Sequence, residues 1–156
     1  MLFAGIDGGQ SSTTAAIGGV DGRVLARGTA GPADEVDQSP SSSRLNDALN
    51  AALADALANA NLDPSTRFTR VVAGISGYEG IVYGKTVALP ADQTRLMHDS
   101  PIAQAGAFDG APGIVIIAGT GSVVYGVNTS GASLLLGGWG YLFGDEGSAF
   151  GLARDA

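Results

Sequence analysis

Leu2-Phe3-Ala4-Gly5-Ile6-Asp7-Gly8-Gly9-Gln10-Ser11-Ser12-Thr13 is the stretch on which the fold turns. An apolar run that stops at an aspartate, passes through a Gly-Gly turn with hydroxyl side chains and resumes at Thr13 reads as strand, tight turn, strand. Residues 13–19 and 23–28 continue the pattern around Val20-Asp21-Gly22, so three strands form an antiparallel meander. Residues 31–43, rich in Pro, Asp and Ser, are a loop that feeds a helix with a serine N-cap. Leu45, Leu49, Leu53 and Leu57 then recur every four residues, with alanines beside them, giving an apolar helix face that needs a sheet to cover it. Asn61 and Asp63-Pro64 end that helix. Residues 71–75 read as a buried strand, 79–88 as a helix that carries two glycines, and 94–98 as another strand. A helix follows from Pro101, since proline suits a first helical turn.

Three strands, helix, strand, helix, strand, helix is the order of an α/β domain of the ribonuclease-H-like kind, with a mixed sheet. At Gly113 the pattern restarts: residues 114–118, 122–127 and 132–136 again read as three strands joined by tight turns. Both copies put glycines and hydroxyl residues between their first two strands, Asp7-Gly8-Gly9-Gln10-Ser11-Ser12-Thr13 and Gly119-Thr120-Gly121-Ser122. The expected division is a first domain over 1–110 and the opening of a second over 111–156. The segment from Glu146 reads as helical and Ala156 falls inside the pattern, so a fragment of a longer protein is expected.

Composition narrows the function. Apolar residues make up 45% and charged residues 15%, which describes a globular chain. A net charge of −7 argues against a nucleic-acid or anionic-membrane surface, since both need clustered cations. Phosphate, if bound, must be held by backbone amides and a metal. Without cysteine there is neither a disulfide nor a cysteine-ligated metal in this chain. The opening apolar stretch lacks a basic lead and runs into Asp7, so it is a strand and not a signal peptide, and a cytoplasmic location is the default.

Glycine turns at strand ends can aim several N–H groups at one anion, and two of them could clasp a triphosphate. Neither is a Walker loop or a dinucleotide turn, because each joins strand to strand; a plain hairpin is the other reading of either. Asp7, ending an apolar strand, suits Mg²⁺ held mostly through water, or caps its own turn. Asp99, ending the 94–98 strand ahead of a helix, could accept a proton from an attacking alcohol, or serve as an N-cap. His98 is the single histidine and reads as a neighbour, not a ligand. Gly137-Gly138-Trp139-Gly140-Tyr141-Leu142-Phe143-Gly144-Asp145-Glu146-Gly147-Ser148 suits a sugar pocket with an apolar wall and a polar floor. It reads equally as core aromatics followed by acids that complement a helix dipole.

Gly5-Ile6-Asp7-Gly8-Gly9, Ile117-Ala118-Gly119-Thr120-Gly121-Ser122 and Gly138-Trp139-Gly140 through Gly144-Asp145-Glu146-Gly147-Ser148 resemble the motifs of the N-acetylglucosamine kinases and the wider BadF/BadG-type ATPases. These belong to the actin, sugar-kinase and heat-shock-chaperone superfamily of actin-like ATPase folds. The resemblance implies an ATP- and Mg²⁺-dependent kinase for an amino sugar, N-acetylglucosamine or glucosamine, of which this chain is the N-terminal half. It implies phosphate contacts at Gly8, Gly9, Ser11, Gly119, Thr120 and Gly121, metal near Asp7, and Asp99 as catalytic base. It places Asp34, Ser122, Gly138, Trp139 and Asp145 in the sugar-contacting region. Gln10 departs from the usual glycine of the first turn. Asp34 stands where an asparagine is common, and an acid there would favour a free ammonium such as that of glucosamine. An ATP-driven switch, a reductase-activating ATPase and a non-catalytic sugar sensor are the alternatives. The sugar is the expected partner, with no nucleic acid or membrane, and a homodimer is allowed.

Overall fold

The computed structural model describes residues 1–35 and 38–156, so positions 36 and 37 of the 31–43 loop lie outside the described residues. The chain divides into two compact units, Met1–Asp99 and Ser100–Ala156. The sequence reading places the division at 110/111.

In the first unit, strands β1 (Leu2–Gly8), β2 (Thr13–Gly19) and β3 (Val24–Ala30) form the expected antiparallel meander, and β4 (Phe68–Ile75) and β5 (Ala91–His98) join it in parallel. The sheet order β3-β2-β1-β4-β5 makes it mixed. Helix α1 (Arg44–Asn59) covers one face, and its four-residue leucine period is the reason. Leu45, Leu49, Leu53 and Leu57 are buried with Ala48, Ala52 and Ala56 against Ile6, Ala15, Ile17 and Val71. Full burial contributes roughly 1.5–3 kcal/mol for each such leucine.

Both ends of α1 can be derived locally. Ser43 is the N-cap residue, as expected, but its hydroxyl donates to Asp47 Oδ2 (2.6 Å) instead of accepting a backbone N–H. At the other end Asn61 takes φ +54°, its N–H reaching Ala58 O and that of Leu62 reaching Leu57 O, which closes the helix as a Schellman turn.

One expected element is absent. Residues 79–88 form no helix, and the 76–90 connection between β4 and β5 is irregular throughout. Gly77 and Gly80 take positive φ, which breaks a helical path, and the segment takes its hydrogen bonds from the 31–50 region instead. Helix α2 (Asp99–Phe108) begins at Asp99, two residues before Pro101.

The second unit repeats the meander with β6 (Gly113–Ala118), β7 (Ser122–Val127) and β8 (Ser133–Gly137), all antiparallel. Helix α3 (Ala149–Asp155) starts after Glu146, at a Ser148 cap that accepts from Gly151 N–H (3.0 Å). Ile114, Ile116, Leu134 and Leu136 stand exposed on cross-strand rows of this sheet. No helix of the described residues is long and apolar enough to cross a membrane.

Candidate functional site

The carboxyl ends of three parallel strands lie side by side in the first unit. Gly8 pairs with Ile75, and Ile75 with His98. Ligands of open α/β sheets bind beyond such ends. Asp7 and Asp99 stand there. Asp7 points to the face opposite the core and is exposed, yet the protein around it strips enough water to push its carboxyl above the usual range; the charge of Asp99 adds to this. Asp99 is more enclosed, its side chain 18% exposed. His98 Nδ1 lies 2.8 Å from Asp99 Oδ1, but that buried oxygen receives no hydrogen bond from the described residues. The ring nitrogen is close without being aligned, so it attracts the carboxylate only when the imidazole is protonated. A buried carboxylate oxygen without a donor is a place for a ligand proton or a cation.

The sign of the Asp7 shift gives a prediction. A carboxyl whose folded-state pKa is raised favours folding at low pH, and that contribution is lost as pH rises from the ordinary carboxylate value through the raised one. Asp7→Asn is therefore expected to raise the melting temperature at pH 7 and not at pH 3. Thermal melts at the two values check it, and a lower melting temperature at pH 7 would contradict it.

The first glycine turn is closed by Gly9 N–H on Ser12 O (2.9 Å) and leaves Ser11 exposed at its tip. The following loop lies against it: Ala33 N–H donates to Gly9 O (3.0 Å), Thr13 Oγ1 donates to Gly31 O (2.7 Å), and a Cβ on Gly8 would meet that of Ala33 at 3.0 Å. Asp34 is buried, with Oδ1 accepting from Arg44 Nη2 (2.8 Å). The charge on which a preference for a free ammonium rests is thus already balanced by Arg44. Sequence reading missed that partner, which arrives from the first turn of α1, as it missed Glu35, whose two oxygens accept from Tyr83 and Gly84 N–H.

In the second unit the two glycine motifs are one construction. Ser122 N–H donates to Asp145 Oδ1 (2.9 Å), Ser122 Oγ to Glu146 O (2.9 Å) and Ala149 N–H to Gly119 O (2.9 Å). Asp145 is 8% exposed and holds φ +62°, a conformation costly for a side chain and kept only where surroundings enforce it. Its carboxylate fills the space over Gly121, where a Cβ would come within 2.9 Å of Oδ1. Asp145 and Ser122, expected as sugar contacts, thereby shape the Gly119-Thr120-Gly121 turn. Thr120 is exposed, and Trp139, beside Gly138 at φ +74°, is 74% exposed. Tyr141 packs instead on Phe150, ring centres 5.0 Å apart.

That strain is testable. Asp145→Ala loses the acceptor and keeps the unfavourable φ, whereas Asp145→Gly loses the acceptor and removes the strain. Alanine is expected to be the more destabilising by about 1 kcal/mol in chemical denaturation; equal stabilities would contradict it.

Among the described residues no three His, Cys, Asp or Glu side chains gather as a metal cage. Mg²⁺ does not need one, since it keeps several waters and takes substrate phosphate oxygens with one or two carboxylates. An accessible carboxylate held above its usual pKa beside a second acid fits that donor set.

With this geometry in view, the match of residues 4–156 to the model of the BadF/BadG/BcrA/BcrD ATPase family decides the family. The chain belongs to it. Among relatives of this BadF/BadG/BcrA/BcrD member, an N-acetyl-D-glucosamine kinase of Dictyostelium discoideum is 27% identical over 99% of the chain and 52% of its own length. An N-acetylmuramic acid/N-acetylglucosamine kinase of Clostridium acetobutylicum is 44% identical over 39% of the chain and 20% of its own length. A crystal structure assigned as an N-acetylglucosamine kinase of Chromobacterium violaceum superposes with TM-score 0.81 at 28% identity, over 94% of the chain and 52% of that protein. A glucokinase of Streptomyces griseus, solved with glucose and AMPPNP, shares the fold at TM-score 0.55 and 21% identity, over 81% and 44%. The chain spans about half the length of the kinase from Dictyostelium and the structure from Chromobacterium.

Proposed function

We propose that this chain carries the phosphate- and acceptor-binding parts of an ATP-dependent kinase for N-acetylglucosamine or a related amino sugar, and that it is the N-terminal half of that enzyme. The observation that carries the reading is Asp99: a carboxylate at the carboxyl end of a parallel strand, with one buried oxygen that accepts no hydrogen bond, beside a second acid whose proton affinity it raises. Two such acids suit phosphoryl transfer, where one takes the alcohol proton and the other meets the metal.

The Asp99 carboxylate accepts the proton of the sugar hydroxyl as the hydroxyl oxygen bonds to the γ-phosphorus, and the bond from phosphorus to the ADP oxygen breaks. Asp7 would hold Mg²⁺ through water, and the ion neutralises charge on the phosphates when bound. The glycine turns at Gly8-Gly9 and at Gly119-Thr120-Gly121 present the exposed tip residues Ser11 and Thr120 as hydroxyl donors to phosphate, while Gly9 N–H and Gly119 N–H close the turns on Ser12 O and Gly121 O. Asp34, with its charge balanced by Arg44, favours a neutral acetamido group over an ammonium. Ser122, Gly138, Trp139 and Asp145 complete the sugar side, with Asp145 also holding the turn.

The half-enzyme reading is supported by the uncovered rows of Ile114 and Leu134 and of Ile116 and Leu136, since a sheet of this kind normally buries such a face under another layer.

A coupled ADP-release assay across an amino-sugar panel, on the protein that carries this chain, tests the function. ADP release stimulated by N-acetylglucosamine more than by glucosamine is expected; release that no sugar stimulates would contradict it.

A further inference from the structure

The loop that leaves β3 is fastened along its whole first stretch. Thr13 Oγ1 donates to Gly31 O (2.7 Å), Ala33 N–H donates to Gly9 O (3.0 Å), and Asp34 Oδ1 accepts from Arg44 Nη2 (2.8 Å). Pro32 has no N–H to place, and its ring fixes φ. Four residues held this often move as one piece.

Ala33 and Asp34 serve different parts of the site. Ala33 is fully buried against the first glycine turn, so close that a Cβ on Gly8 would come to 3.0 Å from its own. It cannot shift without disturbing that turn. Asp34, the next residue, is the one assigned above to the acceptor. The backing of the phosphate turn and the acceptor contact are thus neighbours along the chain, with Cα atoms about 3.8 Å apart.

The side chains that anchor this piece lie outside it. Thr13 opens β2 in register between Gly8 and Ala30, and it is 0% exposed. A hydroxyl enclosed in this way does not reach a phosphate; it acts on Gly31 O. Arg44 holds the other end from the first turn of α1.

We propose that residues 31–34 form a strut between the first phosphate turn and the acceptor contact, with Thr13 and Arg44 as positioning residues at its ends, so that loosening either end weakens both nucleotide and sugar. The proposal rests on the kinase reading above and deepens it by naming residues that act through Ala33 and Asp34.

The test measures KM for ATP and for N-acetylglucosamine on the protein that carries this chain. Thr13→Val keeps the branched shape and removes the hydroxyl, and Gly31 is exposed, so its carbonyl can turn to water and the melting temperature should hold. Both KM values are expected to rise about 5-fold or more, the lower end of coupling between linked sites, with kcat changing less. Thr13→Ser, which keeps the hydroxyl, should stay close to wild type in both. Arg44→Met should raise both values from the other end, and Arg44→Lys should recover most of the loss. If Arg44→Met does not fold with Asp34 left unpaired, Thr13→Val decides. A rise confined to ATP in Thr13→Val, a rise confined to the sugar in Arg44→Met, or no rise in Thr13→Val would overturn the strut while leaving the kinase reading intact. Failure of wild type to phosphorylate any sugar would overturn both.

Discussion

Asp99→Asn is expected to lower phosphoryl transfer about 10²–10⁴-fold, the range that a positioned general base supplies. Sugar and nucleotide affinities are expected to stay within a few-fold. Asparagine keeps the shape of the side chain and can still open helix α2, so the start of the helix survives the change. What it loses is the ability of a carboxylate to accept the hydroxyl proton. It also removes the charge that helps raise Asp7, but since burial is the larger cause, most of that elevation should remain when the Asp7 titration is followed by NMR. Turnover within two-fold of wild type would return Asp99 to the role of a helix-opening acid, the other reading its position allows.

Gly28→Ala should be among the most destabilising single changes in the first unit. Gly28 sits on β3 where the backbone of α1 crosses, and a Cβ there would overlap Ala56 N and Ala52 O and lie 2.8 Å from Ala56 Cα. These are backbone atoms, so no side-chain rotation relieves the clash; α1 has to lift from the sheet and open the leucine-lined core beneath it. Overpacking costs typically 1–3 kcal/mol and more where relaxation is blocked, against total stabilities of about 5–15 kcal/mol. A drop in melting temperature of about 10 °C or more is expected. Gly5→Ala is the control, because a Cβ at Gly5 meets nothing within 4 Å. Equal melting temperatures for the two variants would contradict the packing described.

The parts of the fold that sequence revealed are those with a local signal. The leucine period marked α1 and its buried face, the glycine-bounded runs marked both meanders, and Asn61 marked the helix end through its tolerance of positive φ. Residues 79–88 read as a helix and are not one, because what shapes this segment lies elsewhere in sequence. The carboxylate of Glu35 and the side chain of Asn46 leave no trace in the local pattern of residues 79–88 beyond Gly80 and Gly84. The site divides in the same way. The placement of Asp7 and Asp99 at the carboxyl ends of their strands was legible, because acids there need a reason to be kept. The Arg44 partner of Asp34 was not, because a loop and a helix turn meet only in three dimensions. Nor was the hold of Asp145 on Ser122: two acids ahead of a helix look like dipole partners until the positive φ shows one of them turned back onto the strand.

We propose that the glycine turns at Gly8-Gly9 and at Gly119-Thr120-Gly121 each hold nucleotide phosphate. Titrating Mg²⁺-AMPPNP into ¹⁵N-labelled protein and following the backbone amides tests it most directly. The amides of Gly8, Gly9 and Ser11 and those of Gly119, Thr120 and Gly121 are expected to shift as nucleotide is added. Response of one turn alone, or of neither at saturating nucleotide, would contradict it.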